Sequence, residues 1–140
     1  MTLLLLALIP GVAMSIATID RGELSGVDTP RQVVVRDQAA WAALWREHAP
    51  ERTPPAVDFA RTMVVGVFLG SRPTASYGVT ITRVRRENGE IVVSYREDRP
   101  PPGAMVAQIL TSPFHLVRVE RAEGRVRFER EAAAAPERRP

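Results

Sequence analysis

Ser112, His115 and Asp98 are residues whose types could supply a nucleophile, a base and an acid, the set that serine hydrolases use. The sequence has no glycine-flanked nucleophile turn and no glycine-rich oxyanion loop to accompany them. His115 stands between a phenylalanine and a leucine, where a strand histidine that points outward or is tied into the fold is the simpler explanation. The sequence therefore predicts that the protein is not an enzyme.

The other candidates for chemistry also have structural explanations. His48 closes an apolar helical stripe, where packing and a favourable contact with the helix dipole account for it. Glu97 and Asp98 are adjacent, and adjacent residues of a strand point to opposite faces, so we expect solvated loop charges. The chain has no Cys and only two His, which excludes thiolate chemistry, disulfides, zinc fingers and zinc sites of several histidines. No cofactor or metal is predicted.

The charge pattern bears on nucleic-acid binding. The 140 residues include 19 basic residues, all of them arginine, and 16 acidic residues, which leaves a net charge of +3. Arginines cluster in residues 83–86 and 118–130, but Glu87 and Glu90 follow the first cluster and three glutamates are interleaved with the second. A sequence-independent nucleic-acid binder concentrates positive charge and exposes aromatic rings for stacking. The sequence therefore predicts no nucleic-acid partner.

The apolar periodicity predicts one helix near the N-terminus. Asp37 is a suitable N-cap for a helix that runs to about His48. Trp41, Leu44, Trp45 and His48 follow at the spacing of one helical face. We therefore expect both tryptophans to be buried against a sheet.

Several segments have the patterns of strands. Residues 62–69 are apolar throughout, which is typical of a strand buried on both faces. Residues 32–35, a glutamine followed by three valines, predict a short strand. Residues 77–81 alternate between large and small or polar side chains. Asn88-Gly89 then predicts a tight hairpin into residues 91–95.

The end of the sequence predicts a second hairpin. Residues 114–119 read as a strand, and Ala122-Glu123-Gly124 would turn it back into residues 125–128, with ion pairs across the wet face. The prediction is a mainly β fold of one helix and about six strands with short antiparallel connections. This fold class is a β-sandwich-like or immunoglobulin-like domain.

The loop of residues 70–77 joins a buried strand to an alternating one. Pro73 fixes its own φ, and Thr74 and Ser76 can bond the local backbone. Tyr77 offers an apolar ring with a polar tip. A rigid structural connection is one explanation of this loop, and a recognition element is the other.

Several short motifs follow one another between about residues 31 and 130. They are Trp41 and Trp45, Val57–Phe59, Met63–Gly70, Arg72–Thr74, Tyr77, Pro100–Gly103 and Leu110–His115. Their order and spacing resemble the C-terminal domain of PrcB-type protease-complex proteins. The resemblance implies a small β-rich bacterial domain, often exported or membrane-attached, that assembles with or stabilises an extracytoplasmic protease.

Residues 72–77 are also similar to the Asn-Pro-Thr-Thr-Gly-Tyr loop of chagasin-type cysteine-protease inhibitors, which have an immunoglobulin-like fold. Ala75 and Ser76 stand where that loop has a small residue and a glycine. The glycine-rich second inhibitor loop has no counterpart unless Pro100–Gly103 replaces it, and the third, Arg-Pro before an aromatic residue, is absent. Protease inhibition is an alternative function, and a small enzyme or a ligand-binding domain is another.

The beginning of the sequence predicts export. Leu3–Ile9 is an unbroken apolar run, too short to span a bilayer, which takes about 20 residues. A Ser-Ile-Ala triplet ending at Ala17 predicts a signal peptide over residues 1–17, although no basic residue precedes the apolar run. A frayed or buried N-terminal extension is the alternative. The expected location is extracytoplasmic, either periplasmic or secreted.

The predicted organisation is a single domain over residues 18–130 followed by a tail. Residues 131–140 have no large apolar side chain to bury and are predicted to be disordered. We expect the domain to bind a protein partner, such as an envelope protease, with no stable membrane span. The predicted partner-binding residues are Arg72, Pro73, Thr74, Tyr77, Pro100, Pro101, Pro102 and Gly103.

Overall fold

Two four-stranded β-sheets and one helix form the part of the protein that the computed structural model describes, residues 11–132. The elements are β1 (Val12–Met14), β2 (Ile16–Gly22), β3 (Arg31–Val35), α1 (Gln38–His48), β4 (Thr62–Phe68), β5 (Gly78–Glu87), β6 (Glu90–Asp98), β7 (Phe114–Glu120) and β8 (Val126–Arg130). Sheet one has the strand order β1-β5-β6-β8, and sheet two has the order β2-β7-β4-β3. The mainly β fold with one N-terminal helix is confirmed.

The two sheets face each other across an apolar core. Met63, Val65 and Val67 of β4 are buried in this core, because alternate side chains of a strand share one face. They pack with side chains of sheet one, among them Val79 and Val93. Full burial of an aliphatic side chain of this size contributes about 1.5–3 kcal/mol to stability.

Helix α1 covers the outer face of sheet two. Asp37 is its N-cap and accepts a hydrogen bond of 2.8 Å from a backbone N–H of the first turn. Trp41 and Trp45 are buried, and their indole N–H groups donate to the carbonyls of Pro55 and Arg52 at 3.0 and 2.8 Å. The predicted helix, its cap and its buried stripe are confirmed.

The predicted strands of the central region are confirmed as well. β4 is buried along nearly its whole length, since its other face, including Val64 and Phe68, packs with the buried side chains of α1. We call α1 and this second apolar cluster the helix layer. Asn88 and Gly89 have φ angles of +50° and +77° and connect β5 to β6. Two consecutive residues with positive φ are what a tight I′ hairpin turn requires.

The predicted last hairpin is wrong. β7 lies inside sheet two, where β2 and β4 occupy both of its edges, so no edge is left for β8. The chain instead crosses to sheet one, and β8 pairs in parallel with β6. The ion pairs of Arg127 accordingly join Glu90 and Glu129, not residues of β7. The described residues form eight strands, not about six, and one strand pair is parallel.

Part of the predicted signal peptide lies in the two sheets. Residues 12–14 pair with β5, and Ile16 and Ala17 pair with β7. Cleavage before Thr18 would remove β1 and the first two residues of β2. The apolar run of residues 3–9 lies outside the described residues, and cleavage stays a prediction. Among residues 11–132, no helix is both long and apolar enough to cross a membrane.

The first residue of the predicted tail is attached to sheet one. The backbone N–H of Glu131 donates to the carbonyl of Tyr95 at 2.7 Å, and its carboxylate accepts from Thr82 Oγ1 at 2.9 Å. Residues 133–140 lie outside the described residues.

Candidate functional site

Two loops leave the sheets at the same end of the molecule. Residues 70–77 lead into β5, and residues 99–113 follow β6. Because Gly78 of β5 pairs with Asp98 of β6, the two loops begin side by side. We call these two segments together the loop end. The structure thus places all the predicted partner-binding residues in one region.

Backbone hydrogen bonds hold the two loops together. The N–H of Arg72 donates to the carbonyl of Thr111 at 2.8 Å, and the N–H of Thr111 donates to the carbonyl of Arg72 at 2.9 Å. The N–H of Ala75 donates to the carbonyl of Ala107 at 3.0 Å, and Thr111 Oγ1 donates to the carbonyl of Thr74 at 2.8 Å. The loop end is therefore a braced surface, with its conformation set by contacts between the loops.

The predicted partner-binding residues differ in exposure. Pro73 is exposed, and Thr74 and Tyr77 are half-buried. Pro100 is half-buried, whereas residues 101–103 are exposed, and a hydrogen bond of 3.0 Å from the Ala104 N–H to the Pro101 carbonyl closes a turn there. These side chains are accessible to a partner to different degrees.

Three large apolar side chains of the second loop are exposed, and none of them was among the predicted partner-binding residues. Met105 is fully exposed, Ile109 is 52 % exposed and Leu110 is 76 % exposed. The sequence signal was available: these residues follow a proline-rich stretch and have neither strand alternation nor helical spacing. A cluster of exposed large apolar side chains marks an interaction surface more often than scattered single ones do.

Arg72 braces the loop end from inside. Its Nε donates to the carboxylate of Glu97 at 2.9 Å, and its Nη1 donates to the carbonyls of Leu69 and Ser71 at 3.1 and 3.0 Å. The side chain is only 24 % exposed. A guanidinium with these partners positions the loop, in addition to any contact with a partner protein.

Glu97 is not a solvated loop charge, and that part of the sequence interpretation is wrong. Glu97 lies within β6 and is 4 % exposed. Besides Arg72, its carboxylate accepts from Arg130 Nη2 at 2.7 Å and lies 3.7 Å from Arg99 Nε. Burial raises the pKa of this carboxyl, but the arginines outweigh it, so the pKa lies below its ordinary value. Asp98 points to the other face, as expected, where it accepts from Arg96.

His115 joins the two sheets. The N–H of Ile81 in sheet one donates to His115 Nδ1 at 2.9 Å, so the ring proton sits on Nε2, 2.9 Å from Thr18 Oγ1 of β2. Burial, assisted by the charge of Arg21, lowers the pKa of His115 to about 4. The ring is thus neutral at pH 7. Its partners are not the Ser112 and Asp98 of a hydrolase set.

A different serine, histidine and aspartate do form a chain of hydrogen bonds. Ser25 Oγ lies 2.7 Å from His48 Nδ1, and His48 Nε2 lies 2.9 Å from Asp20 Oδ2. Asp20 also accepts from Arg52 at 2.7 Å. Burial raises the pKa of Asp20, but the bonds from Arg52 and His48 hold it below its ordinary value. The pairs are 23 and 28 positions apart, so the sequence has no local signal for them.

The surroundings of Ser25 fit a structural role. The backbone N–H of Ser25 donates to the carbonyl of Ser112, that of Gly26 to the carbonyl of His48, and that of Val27 to Ser25 Oγ. An oxyanion hole needs backbone donors that point at a substrate, and these three point into the protein. The chain of bonds ties the end of α1 to the segment between β2 and β3.

Comparison with known proteins adds the family. Residues 63–120 match the family model described as PrcB C-terminal. The match runs from β4 to the end of β7 and includes both loops of the loop end, so the resemblance to PrcB is confirmed there. No curated protein and no solved structure matches the chain. The similarity of residues 72–77 to chagasin-type inhibitors stays an untested resemblance.

Proposed function

We propose that this protein is a non-catalytic module that binds and stabilises an extracytoplasmic protease through its loop end. The match of residues 63–120 to the PrcB C-terminal family model supports an accessory role in a protease complex. The loop end lies within the matched residues. The partner's identity and the location outside the cytoplasm are parts of the proposal.

The exposure of Met105, Ile109 and Leu110 carries this proposal. Apolar side chains of this size gain free energy when they leave water, at about 25 cal/mol per Å² of apolar surface buried. In residues 11–132 the other large apolar side chains with comparable exposure are Val12 and Leu24. The second of these adjoins the loop end, because Leu24 bridges to Ser112.

The bracing of the two loops supports tight binding. A loop whose backbone is already hydrogen-bonded loses less conformational entropy when a partner binds. Thr111 supplies two backbone bonds and one side-chain bond to the neighbouring loop. Pro73 lies within this braced segment and Tyr77 follows it. Aromatic residues concentrate binding energy at interfaces.

A capture experiment with the double variant Met105→Ser/Leu110→Ser tests the proposal. Tagged wild-type protein, incubated with an envelope extract of the native host, should retain a protease, measured as casein cleavage in the eluate. The double variant should lose that activity. Val12→Ser is the matched control, because Val12 is exposed and pairs with Arg86 at the far end of β5. Equal protease activity in the eluates of the wild type, the double variant and Val12→Ser would reject the loop end as the docking surface.

The same eluates separate stabilisation from inhibition. A stabilising module should lengthen the lifetime of the captured protease at a fixed temperature. An inhibitor of the chagasin type should instead lower the rate of casein cleavage in proportion to the protein added.

Export has its own test. We propose that the apolar run of Leu3–Ile9 directs the protein out of the cytoplasm, with cleavage near Ala17. N-terminal sequencing of the protein from an envelope fraction should then find a start near Thr18. An intact Met1 on protein from the cytosolic fraction would contradict export.

A further inference from the structure

The four edge strands of the two sheets differ in how they discourage pairing. β1 has only three residues, β2 has a register shift between Thr18 and Asp20, and β8 presents exposed Arg127 and Arg130. Short length, bulges and charges are the usual protections of a sheet edge. β3 has a charge only at its first residue, Arg31, which Glu47 binds. The strand pairs with β4 in regular register and ends in three consecutive valines. On its other side, β3 has no strand partner among residues 11–132.

Hollows flank β3 on both of its faces. Toward sheet one lies a cavity of about 590 Å³, whose lining includes Gln32, Tyr95 and Glu97. Toward α1 lies a groove of about 470 Å³, whose lining includes Val33 and Ala43. A strand added beside β3 would direct alternate side chains into the two hollows, because side chains alternate along a strand.

The cavity toward sheet one has an excess of positive charge. Its charged lining residues include Glu97, Arg72 and Arg130, so one carboxylate faces two guanidinium groups, and Arg99 approaches the same carboxylate. Arg31 also lines the cavity, but Glu47 binds it through two hydrogen bonds of 2.7 and 2.8 Å. Arg130 is about half exposed, so it can contact a second carboxylate.

The groove toward α1 has a different chemistry. Val33, Val35, Ala40, Ala43 and Leu44 line most of it, and the alanines are exposed. Such a lining suits small or branched apolar side chains. The two faces of an added strand therefore need opposite characters, acidic toward the cavity and apolar toward the helix.

We propose that β3 accepts an extended segment of a partner protein as an added antiparallel strand, with acidic side chains in the arginine-lined cavity and apolar side chains against α1. The inference rests on the proposed function, since the segment would belong to the protein that this module binds. Antiparallel pairing is the geometry β3 already has with β4, and it is slightly more stable per residue than parallel pairing.

Peptide binding by the full chain tests this inference. The probe is a fluorescently labelled peptide of alternating valine and glutamate, and its anisotropy is measured against protein concentration at low and at high salt. Replacement of its glutamates by lysines should abolish binding, and N-methylation of alternate backbone nitrogens should do the same because it removes strand hydrogen bonds. Amide exchange should slow in residues 31–35. Equal binding of the lysine or N-methylated peptides would overturn the proposal.

A matched pair of arginine variants locates the contact. Arg130→Ala should weaken the binding of the valine–glutamate peptide by about five-fold or more at low salt, because a charge-assisted contact is lost. Arg127→Ala removes an arginine of the same strand that pairs with Glu90 and Glu129, and it should change affinity by less than about two-fold. Equal effects of the two variants would show general charge attraction and would overturn the proposal.

Two other occupants of β3 give distinct results. If residues 133–140 already occupy it, a chain ending at residue 132 should bind the peptide and the full chain should not. If a second copy occupies it, the full chain should sediment as a dimer that Arg130→Ala dissociates. Either result overturns a partner segment on β3.

Failure of this inference differs from failure of the proposed function. Loss of peptide binding with the protease still captured through Met105 and Leu110 would reject strand addition alone. Peptide binding with no protease in the eluate would reject the proposed protease partner alone.

Discussion

The helix layer and the region of the loop end differ in which side chains are buried and which are exposed. In the helix layer, Trp41 and Trp45 are buried and the polar atoms of their rings are satisfied by nearby carbonyls. Beside the loop end, the carboxylate of Glu97 in β6 is buried among arginines, while Met105 and Leu110 of the loop end face solvent. The difference separates two tasks, because apolar burial supplies stability and apolar exposure supplies surface for binding.

The two regions also differ in the interactions that fix their conformation. Aromatic contacts run through the helix layer. The ring centroids of Trp41 and Trp45 lie 5.3 Å apart, and those of His48 and Phe114 lie 4.3 Å apart. The loop end is held by hydrogen bonds and ion pairs, chiefly those of Arg72 and Thr111. Hydrogen bonds fix geometry but add only about 0.5–1.5 kcal/mol each to stability. We therefore expect mutations in the helix layer to affect folding and mutations in the loop end to affect binding.

The largest expected effect is that of Trp45→Ala. Truncation of a buried aromatic side chain removes its burial and leaves a cavity, and we expect a loss of about 3–5 kcal/mol in the free energy of unfolding. Urea denaturation measures it. Arg46→Ala, on the exposed side of the same helix, should cost less than about 0.5 kcal/mol. Similar urea midpoints for Trp45→Ala and Arg46→Ala would contradict the conclusion that burial in the helix layer stabilises the fold.

The helix layer was predictable from the sequence because its signals are local. The N-cap Asp37 and the tryptophan stripe lie within one short segment, and the apolar run of β4 and the Asn88-Gly89 turn are equally local. Strand pairing is not local. Nothing near Val126 indicates that β8 pairs in parallel with β6 after the chain has passed through the other sheet.

The chemistry of the loop end was predictable only in part. The resemblance of the short motifs led to the loop of residues 70–77, and the PrcB C-terminal match includes it. The burial of Glu97 was not predictable, since its partners Arg72 and Arg130 are 25 and 33 positions away. Alternation along a strand tells which residues share a face, but not what the opposite layer places there.

The next largest effect is a pH dependence that His115 gives to the contact between the sheets. Because the folded pKa of about 4 lies below the unfolded value of 6.5, the unfolded chain binds the proton more readily. This contribution to stability is fully present above pH 6.5 and is lost as the pH falls through the folded value. The difference amounts to about 2–3 kcal/mol between pH 7 and pH 4.5.

His115→Asn isolates that effect from the titration of the carboxylates. An asparagine Oδ1 can accept the bond from the Ile81 N–H as Nδ1 does, but it carries no titratable proton. Urea unfolding at a series of pH values should show a weaker acid destabilisation in the variant than in the wild type. If the free energy of unfolding falls equally with decreasing pH in the two proteins, His115 is not the group that causes the acid destabilisation.

Glu97→Gln should have an intermediate effect, and Asp98→Asn on the same strand is its matched control. The new amide NH₂ would face a guanidinium, a donor against a donor, so we expect a loss of about 1–3 kcal/mol. Asp98 is more exposed than Glu97, so the control should cost less than about 1 kcal/mol. Thermal melts compare the two. A larger loss of stability in Asp98→Asn than in Glu97→Gln would contradict the role of Glu97 in bracing the loop end.

The smallest expected change in stability belongs to the double variant Met105→Ser/Leu110→Ser. Both side chains face solvent, so their removal leaves no cavity, and the free energy of unfolding should stay within about 0.5 kcal/mol of the wild type. Urea denaturation of the double variant beside Val12→Ser measures this. If the double variant instead unfolds as readily as Trp45→Ala, its exposed side chains support the fold and the contrast between the two regions fails. A normal unfolding midpoint with loss of protease capture would place the function of these side chains in binding alone.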